Sequence, residues 1–235
     1  MVGALALPKL AYAQTVDAAI ALAADVSRSI DDEEFQLQRQ GYAAAVTDTQ
    51  FLNAVRAGAR GAIALSFIEW AGTGQQTIVA KWAVIRNRDD ATQFAKTLRS
   101  APRSFAGRTA IGDAIDFAAA QLASSGVTAA RRIVDVSGDG TDNSGIPVTV
   151  ARDGAVSKGI TINGLAIINE KTGGVPGTFL YLHTHPPGGL PNYYLRNVIG
   201  GPNAFMLQIV NFGTFADAMT KKLISEIALA ASASR

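Results

Sequence analysis

The chain has 235 residues, 48% of them hydrophobic, which suffices for one sizeable core and excludes a disordered chain. Its 21 basic and 19 acidic residues give a net charge of +2, which excludes a nucleic-acid-binding surface that depends on bulk charge. Cysteine is absent, which excludes disulfides, thiolate chemistry and zinc sites with cysteine ligands.

The N-terminal segment is typical of the end of a secretory signal. Ala11, Tyr12 and Ala13 form a small-x-small pattern, and cleavage there would leave Gln14 first. We therefore expect residues 1–13 to be a signal-peptide remnant, residues 14–235 to form a single domain, and the protein to be periplasmic or secreted. No apolar stretch is long enough for a membrane span, so none is expected.

The chain opens with a predicted strand, loop and helix. Residues 16–24 are almost continuously apolar as far as Asp25, the pattern of a strand buried on both faces. Ser29 and Asp32 predict a capping box at the start of the helix. The apolar face of that helix is predicted to contain Phe35, Tyr42 and Val46.

A hairpin and two helices are predicted next. Residues 62–70 and 76–85 are strand-like, and the short connection between them suits an antiparallel hairpin. Trp70 and Trp82 lie on these strands and are expected in the core. Helices then follow at 89–98 and 109–122, with a polar loop between them.

The remaining pattern continues the alternation of strands and helices. It predicts a strand at 131–136, a helix at 147–158, a strand at 160–168, a long Gly/Pro/Tyr-rich stretch at 173–192, a strand at 204–211 and a helix at 215–229. This order predicts an α/β fold: a doubly wound, mostly parallel six-stranded sheet with one antiparallel strand and helices on both faces. Ligands bind such sheets at the carboxyl ends of the strands, where Asp25 and Asp139 are expected.

Three loops carry oxygen ligands of the kind that Mg²⁺ prefers. The loop after the first strand has Asp25, Ser27 and Ser29 at alternate positions. Thr109 precedes a predicted helix, and Asp139 ends a later strand with Gly140 behind it. Carboxylates and hydroxyls from several loops suit an ion that takes about six oxygens and keeps some of its water.

These residues carry a family resemblance. Asp25, Ser27 and Ser29 match D-x-S-x-S, and Asp139-Gly140 follows an apolar strand. The sequence from Gly107 to Gly112, with Thr109 and Ile111 between them, matches G-x-T-x-I-G. Together the motifs resemble the metal-ion-dependent adhesion site of von Willebrand factor A domains, and the chain is similar to a bacterial exported branch of that family with no assigned function.

The resemblance implies a Rossmann-like fold and a bound divalent cation, Mg²⁺ or alternatively Mn²⁺ or Ca²⁺. The hydroxyls of Ser27, Ser29 and Thr109 would hold the ion, with Asp25 and Asp139 acting directly or through water. The implied function is non-enzymatic: an open coordination position captures an acidic residue of a partner protein. Arg28 and Arg108 flank the site and are candidates to hold that carboxylate, or are solvated.

Each site residue also has a purely structural interpretation. Ser29 and Thr109 are at positions that suit helix caps, and Asp25 suits a loop cap. Asp113 lies one turn beyond Thr109 and is either an ordinary first-turn acid or an indirect support for the site. A related alternative is a structural protein in which the ion only stabilises the fold.

Two enzyme families share parts of these motifs. A haloacid-dehalogenase-like, Mg²⁺-dependent phosphohydrolase would match Asp25 and the loop from Gly138 to Asp142, but Ser27 stands where its general acid is required. His183-Thr184-His185-Pro186 resembles the zinc motif of JAMM-type isopeptidases, but Tyr193 and Arg196 replace the expected Ser and Asp. We therefore expect the histidines, with Phe179, Tyr181, Tyr193 and Tyr194, to belong to a partner-facing loop, unless the aromatic rings pack onto the sheet.

Overall fold

The computed structural model describes residues 14–168 and 175–232, so the predicted signal remnant at 1–13 lies outside the described residues. The strands are β1 (Gln14–Asp25), β2 (Ile63–Trp70), β3 (Gln76–Ile85), β4 (Val127–Gly138), β5 (Ile160–Ile167) and β6 (Met206–Ile209). The helices are α1 (Asp32–Thr47), α2 (Thr49–Ala57), α3 (Arg88–Ser100), α4 (Ile111–Ala123), α5 (Val148–Ser157), α6 (Phe179–Thr184), α7 (Leu190–Tyr193) and α8 (Phe215–Ser232). A π-helical turn (Tyr194–Val198) and a 3₁₀ turn (Phe212–Thr214) are also present.

The strands form one six-stranded sheet in the order β3-β2-β1-β4-β5-β6. β3 is antiparallel to β2, and the other neighbouring pairs are parallel. The predicted fold class is therefore confirmed. Strand order reverses at β1, which pairs with β2 on one side and β4 on the other, so the carboxyl ends of β1 and β4 border the switch point where such sheets bind ligands.

The alternation of side chains along β1 divides the hydrophobic core into two layers. Ile20 and Leu22 belong to the layer that packs under α1, α2, α3 and α8. Ala19, Ala21 and Ala23 belong to the opposite layer, with α4 and α5. Ten consecutive residues of β1 are buried, which explains its unbroken apolar run, since both of its faces are covered by helices.

The structure corrects several predicted elements. α2 was missed, because its nine residues are too short for a clear helical period. The described part of the stretch 173–192, predicted as a loop, contains α6 and most of α7. Trp70 is fully buried as predicted, but Trp82 is only partly buried, since it lies on edge strand β3, where its Nε1 donates to the carbonyl of Gln121 at 3.1 Å.

No helix in the described part of the chain is both long enough and apolar enough to span a membrane.

Candidate metal centre

The predicted site residues from the first and third motifs meet at the switch point of the sheet. Asp25 is the last residue of β1, and Asp139 directly follows β4. Because the two strands are paired in parallel, with Ala24 opposite Ser137, their following loops leave the same edge of the sheet. Both carboxylates are fully buried.

A chain of short contacts links these loops. The amide of Ser27 donates to Asp25 Oδ1 at 2.7 Å, and the hydroxyl oxygens of Ser27 and Ser29 are 3.2 Å apart. The Ser29 hydroxyl donates to Asp139 Oδ1 at 2.6 Å. Four of the five predicted residues therefore form one continuous polar cluster.

Thr109, the fifth predicted residue, lies on the loop before α4 and is 2% exposed. Its amide donates to Asn143 Oδ1 at 3.0 Å, and its carbonyl accepts from the amide of Asn143 at 2.8 Å. The Arg28 amide donates to the carbonyl of Gly107 at 3.0 Å, which ties the first loop to the second. These contacts fix the Thr109 backbone beside the loop of Ser29.

The predicted helix caps are wrong. Other side chains cap the two helices, so the hydroxyls of Ser29 and Thr109 are available to the site. Asp31, not Ser29, caps α1: its side chain accepts from the amide of Glu34, whose carboxylate accepts from the amide of Asp31. The N-cap position of α4 is Ala110, and the first helical amides instead donate to Asp142 Oδ1. Ser29 and Thr109 are therefore not engaged as caps.

Each of the two buried carboxylates has one oxygen without a hydrogen-bond partner. Asp25 Oδ2 and Asp139 Oδ2 are both buried without a hydrogen-bond partner. Burial, with the nearby Asp139 carboxylate, raises the pKa of Asp25 well above its usual value. Burial likewise raises the pKa of Asp139 to about 7, opposed by the hydrogen bond from Ser29.

A divalent cation fits this pattern. Buried carboxylates require a countercharge or a proton, and two carboxylates with three neutral hydroxyls form an oxygen donor set of the kind that magnesium-type ions take. Among the described residues, no three His, Asp or Glu side chains are grouped so as to hold a metal by themselves. Hydroxyl oxygens would therefore have to complete the coordination shell.

Arg103 supports the first loop and was missed by the sequence analysis. Its Nη2 donates to the carbonyls of Val26, Ser27 and Ile30 at 2.9, 2.9 and 2.8 Å. The guanidinium also lies over the ring of Phe35, 5.5 Å from its centroid. In the sequence Arg103 is one arginine of a polar loop, so no local pattern indicates this role.

His183 also reaches the site, a contact that the sequence did not predict. It lies on α6, is 6% exposed, and places Nε2 3.1 Å from the Thr109 hydroxyl. Burial lowers its pKa to about 4, so the imidazole is neutral at pH 7. The motif with His185 was visible in the sequence, but only the fold brings His183 to Thr109.

Other residues of the same stretch divide between surface and core. Phe179 is 69% exposed, which agrees with the expected surface position. Tyr181 and Tyr193 are partly buried, and Tyr194 is fully buried, packed against the sheet. The Tyr194 hydroxyl has no hydrogen-bond partner, and burial, with the carboxylates of Asp25 and Asp139, raises its pKa well above its usual value.

A cleft of about 300 Å³ opens beside the site. It is lined by Arg28, Ser29, Gly107, Arg108, Thr109, Asn143, Phe179, Leu180 and His183. Both arginines are exposed, so their guanidinium groups are accessible to an incoming anion. Asp113 has a different role, since its Oδ1 accepts from the amide of Ile146 at 2.7 Å, which fixes the loop before α5 rather than the site.

Comparison with solved structures identifies the class of fold. A structure of proximal thread matrix protein 1 (PTMP1) from the mussel byssus matches with a TM-score of 0.64 and 16% identity, covering 92% of this chain and 49% of that chain. A further structure of PTMP1 has a zinc-occupied MIDAS motif. A von Willebrand factor type A protein from Catenulispora acidiphila matches with a TM-score of 0.57 and 13% identity, covering 90% and 43%.

The fold is therefore of the von Willebrand factor A type, and the chain spans about half the length of PTMP1. An aerotolerance-related membrane protein from Bacteroides fragilis also matches, with a TM-score of 0.54 and 19% identity over 89% of this chain and 99% of that chain. Residues 15–231 match the family described as "Protein of unknown function (DUF1194)", and the chain belongs to that family. No curated protein matches the chain.

Proposed function

We propose that this protein is a non-enzymatic binding domain that captures a carboxylate of a partner protein through a divalent cation. Asp25, Ser27, Ser29, Thr109 and Asp139 hold the ion, which is Mg²⁺ under physiological conditions. The ion's charge is only partly compensated by neutral hydroxyls, so an open coordination position attracts an acidic side chain. The exposed Arg28 and Arg108 assist by attracting the same carboxylate.

One observation carries this proposal: two fully buried carboxylates each present an oxygen with no hydrogen-bond partner beside a cluster of hydroxyls. Such an arrangement is unfavourable without a cation. The zinc-occupied MIDAS motif of PTMP1, a protein of the same fold, supports a metal at this edge of the sheet.

A phosphohydrolase of the haloacid-dehalogenase type is disfavoured by the same geometry. Asp142, the second acid of the candidate loop, accepts hydrogen bonds from the first amides of α4 and so acts as a helix cap. The position that would supply a general acid is Ser27. A serine hydroxyl is too weak an acid to transfer its proton near neutral pH. A third possibility, an ion that only stabilises the fold, is separated from partner capture by the peptide-selection experiment below.

The experiment begins with thermal unfolding of the wild type in EDTA and in Mg²⁺. At an ion concentration 100 times the dissociation constant, binding adds about 2.7 kcal/mol, a rise in Tm of about 5–10 °C for a chain of this size. Asp139→Asn removes the rise, while Asp116→Asn, an exposed acid on α4, retains it. No rise in the wild type would contradict the metal site.

Partner chemistry is tested by selecting phage-displayed peptides on the protein in Mg²⁺ and eluting them with EDTA. The proposal expects an Asp or Glu at a fixed position, and loss of binding when it is changed to Asn or Gln. A metal-stabilised protein that selects no acidic peptide would instead have a purely structural ion.

We also propose that the protein is exported, on the small-x-small pattern at Ala11 and Ala13. Mass spectrometry of the protein from its native cells, separated into periplasmic, secreted and cytoplasmic fractions, tests this. A chain outside the cytoplasm that begins at Gln14 is the expected result, and an uncleaved cytoplasmic chain would contradict it.

A further inference from the structure

Helix α6 carries exposed apolar side chains beside the candidate metal centre. Phe179, Leu180 and Leu182 are 69%, 44% and 50% exposed, and they belong to one helix of six residues. Single apolar side chains are common on protein surfaces, whereas a group of large ones beside a cleft is typical of a surface that binds a partner.

The C-terminal end of α6 is fixed to the loops of the site. His183 is buried, and its Nε2 lies 3.1 Å from the hydroxyl oxygen of Thr109. The amide of Thr141, two residues after Asp139, donates to the carbonyl of His183 at 3.0 Å. The ring of Phe179 lies parallel to the imidazole, with the centroids 6.3 Å apart. The exposed side chains of α6 are therefore held close to two of the proposed metal ligands.

The cleft beside the site has walls of different chemical character. Phe179 and Leu180 form one side of it, named the apolar wall below, and Arg28 and Arg108 belong to its lining as well. Both arginines are exposed, and none of the described residues that line the cleft is acidic. The cleft is thus complementary to a group that is anionic and has an apolar neighbour.

The size of the cleft suits a short segment of chain. Its volume is about 300 Å³, at the lower end of the range for ligand sites, and a cube of that volume has an edge of about 7 Å. Two residues of an extended chain also span about 7 Å. An acidic residue held at the metal therefore places its near neighbours in the chain within reach of the apolar wall.

We propose that the cleft recognises an extended acidic segment of a partner protein, in which a large apolar residue lies within about two positions of the captured carboxylate. This inference rests on the proposed function, in which the ion binds that carboxylate. The neighbouring apolar side chain packs on Phe179 and Leu180, which removes apolar surface of both partners from water. Acidic segments that lack the apolar neighbour bind more weakly.

Phage-displayed short peptides with a fixed central Asp and randomised flanks test this proposal. They are selected on the wild-type protein in Mg²⁺ and eluted with EDTA. We expect enrichment of Phe, Trp, Leu, Ile or Met at one position close to the Asp. Selection on Phe179→Ser should lose this enrichment, while binding still requires Mg²⁺ and is still lost when the Asp is changed to Asn.

Leu182 supplies a matched control, since it is exposed on the same helix but is not part of the cleft lining. Leu182→Ser and Leu180→Ser remove the same side chain from α6, so a general effect on the helix would appear in both. We expect calorimetry with a selected peptide to show affinity about tenfold or more lower in Leu180→Ser and in Phe179→Ser. In Leu182→Ser the affinity should change by about twofold or less. Circular dichroism checks that each variant keeps its fold.

A double-mutant cycle tests direct contact between the peptide and the apolar wall. Changing the enriched apolar residue of the peptide to Ala should weaken binding to the wild type about tenfold. The same change should weaken binding to Phe179→Ser by a clearly smaller factor, because its contact is already absent. An equal factor in both proteins would show that Phe179 does not contact that residue, and would contradict the proposal.

Three further outcomes would overturn the inference. If the selected peptides need Mg²⁺ and the Asp but show no apolar preference, carboxylate capture stands and the apolar wall has no part in it. Equal losses in Leu180→Ser and Leu182→Ser would indicate a general effect on α6. Dimerisation of the wild type in analytical ultracentrifugation, abolished by Phe179→Ser, would show that a second copy covers the wall. If no peptide binds in a Mg²⁺-dependent manner, this inference and the proposed function both fail.

Discussion

At the scale of single residues, the candidate site depends on side chains that support its loops as much as on those that face an ion. Arg103 donates to three carbonyls of the loop that carries Ser27 and Ser29. These three bonds share the two hydrogens of Nη2, while Nε of the same guanidinium donates to the carbonyl of Phe105 at 3.0 Å. The planar fork therefore joins two segments that the single nitrogen of an ammonium group could not reach together. The loop is therefore held in shape by the guanidinium and not by charge alone.

Arg103→Lys tests this role while keeping the charge. We expect the Mg²⁺ affinity to fall about 10–100-fold, since groups that orient metal ligands have effects of that size. The free energy of unfolding should fall by about 1–3 kcal/mol, because buried carbonyls lose their donors. Calorimetry and urea denaturation measure the two effects. Arg56→Lys, an exposed arginine of α2, is the control, and an equal loss in both variants would contradict the prediction.

Gly138 provides a second prediction at this scale. A Cβ there would lie 2.7 Å from the Tyr194 hydroxyl and 2.9 Å from Asp25 Oδ2. Gly138→Ala should therefore displace Asp25, weaken Mg²⁺ binding and destabilise the fold by about 1–3 kcal/mol.

The matched control for this prediction is Gly154→Ala, on α5, where a Cβ meets nothing within 4 Å. That change should stabilise the protein by about 0.5–1 kcal/mol, because alanine is the better helix former. Thermal unfolding with and without Mg²⁺ compares the variants. Unchanged Mg²⁺ binding in Gly138→Ala would show that Asp25 is not in the site.

At the scale of elements, α8 is attached to the sheet by a buried charge cluster. Lys222 Nζ lies 2.6 Å from Asp135 Oδ1 of β4 and 2.7 Å from Glu226 Oε1. Asn163 of β5 donates to the same Glu226 oxygen at 3.0 Å. All four side chains are fully buried. One ammonium group thus compensates two carboxylates, and burial, with Glu226 nearby, raises the pKa of Asp135 to about 7 although Lys222 opposes the shift.

Lys222→Met should destabilise the protein by about 3–5 kcal/mol at pH 8, since it leaves two buried carboxylates without a cation. An acid whose pKa is raised by folding binds its proton more tightly in the folded state, so Asp135 favours folding at low pH, and this contribution is lost as the pH rises through about 7. The loss in Lys222→Met should therefore be smaller at pH 5 than at pH 8.

Urea denaturation at the two pH values measures this difference, and the exposed neighbour Lys221 supplies the control variant Lys221→Met. Equal losses at both pH values would show that protonation of the carboxylates does not relieve the cluster.

At the scale of the whole molecule, the sheet places its most buried strands at the centre and the site at their ends. β1 is paired along its length with β2 and β4, whereas β6 has four residues and lies at the edge. Local opening is expected where burial and pairing are least. The site therefore combines rigid strand ends with the short helix α6, whose Phe179, Leu180 and Leu182 are exposed.

Hydrogen exchange tests this distribution of stability. We expect the slowest amide exchange in β1 and β4 and the fastest in α6, because α6 has six residues and an exposed apolar face. Mg²⁺ should slow exchange in the loops at 25–29, 107–109 and 139–143 in the wild type and not in Asp139→Asn. Protection by Mg²⁺ that is confined to other segments would contradict the proposed site.

Much of the fold could be predicted from local patterns. β1 could be predicted because near-continuous apolar runs are typical of parallel strands that are buried on both faces, and the β2–β3 hairpin followed from its short connection. The capping interpretation of Ser29 and Thr109 was wrong because several nearby polar groups compete for the same helix amides. Asp31 and Asp142 win that competition, and only the folded loops show which group is close enough.

The sequence by itself determined the order of the apolar runs along the chain and the α/β class. It also indicated the candidate residues Asp25, Ser27 and Ser29, since these lie close together on one loop. Tertiary structure alone decided which distant side chains join them. His183 is 74 positions from Thr109, and Arg103 is 77 positions from Val26. Contacts over such separations depend on how helices pack across the sheet, so no spacing or periodicity along the chain encodes them visibly.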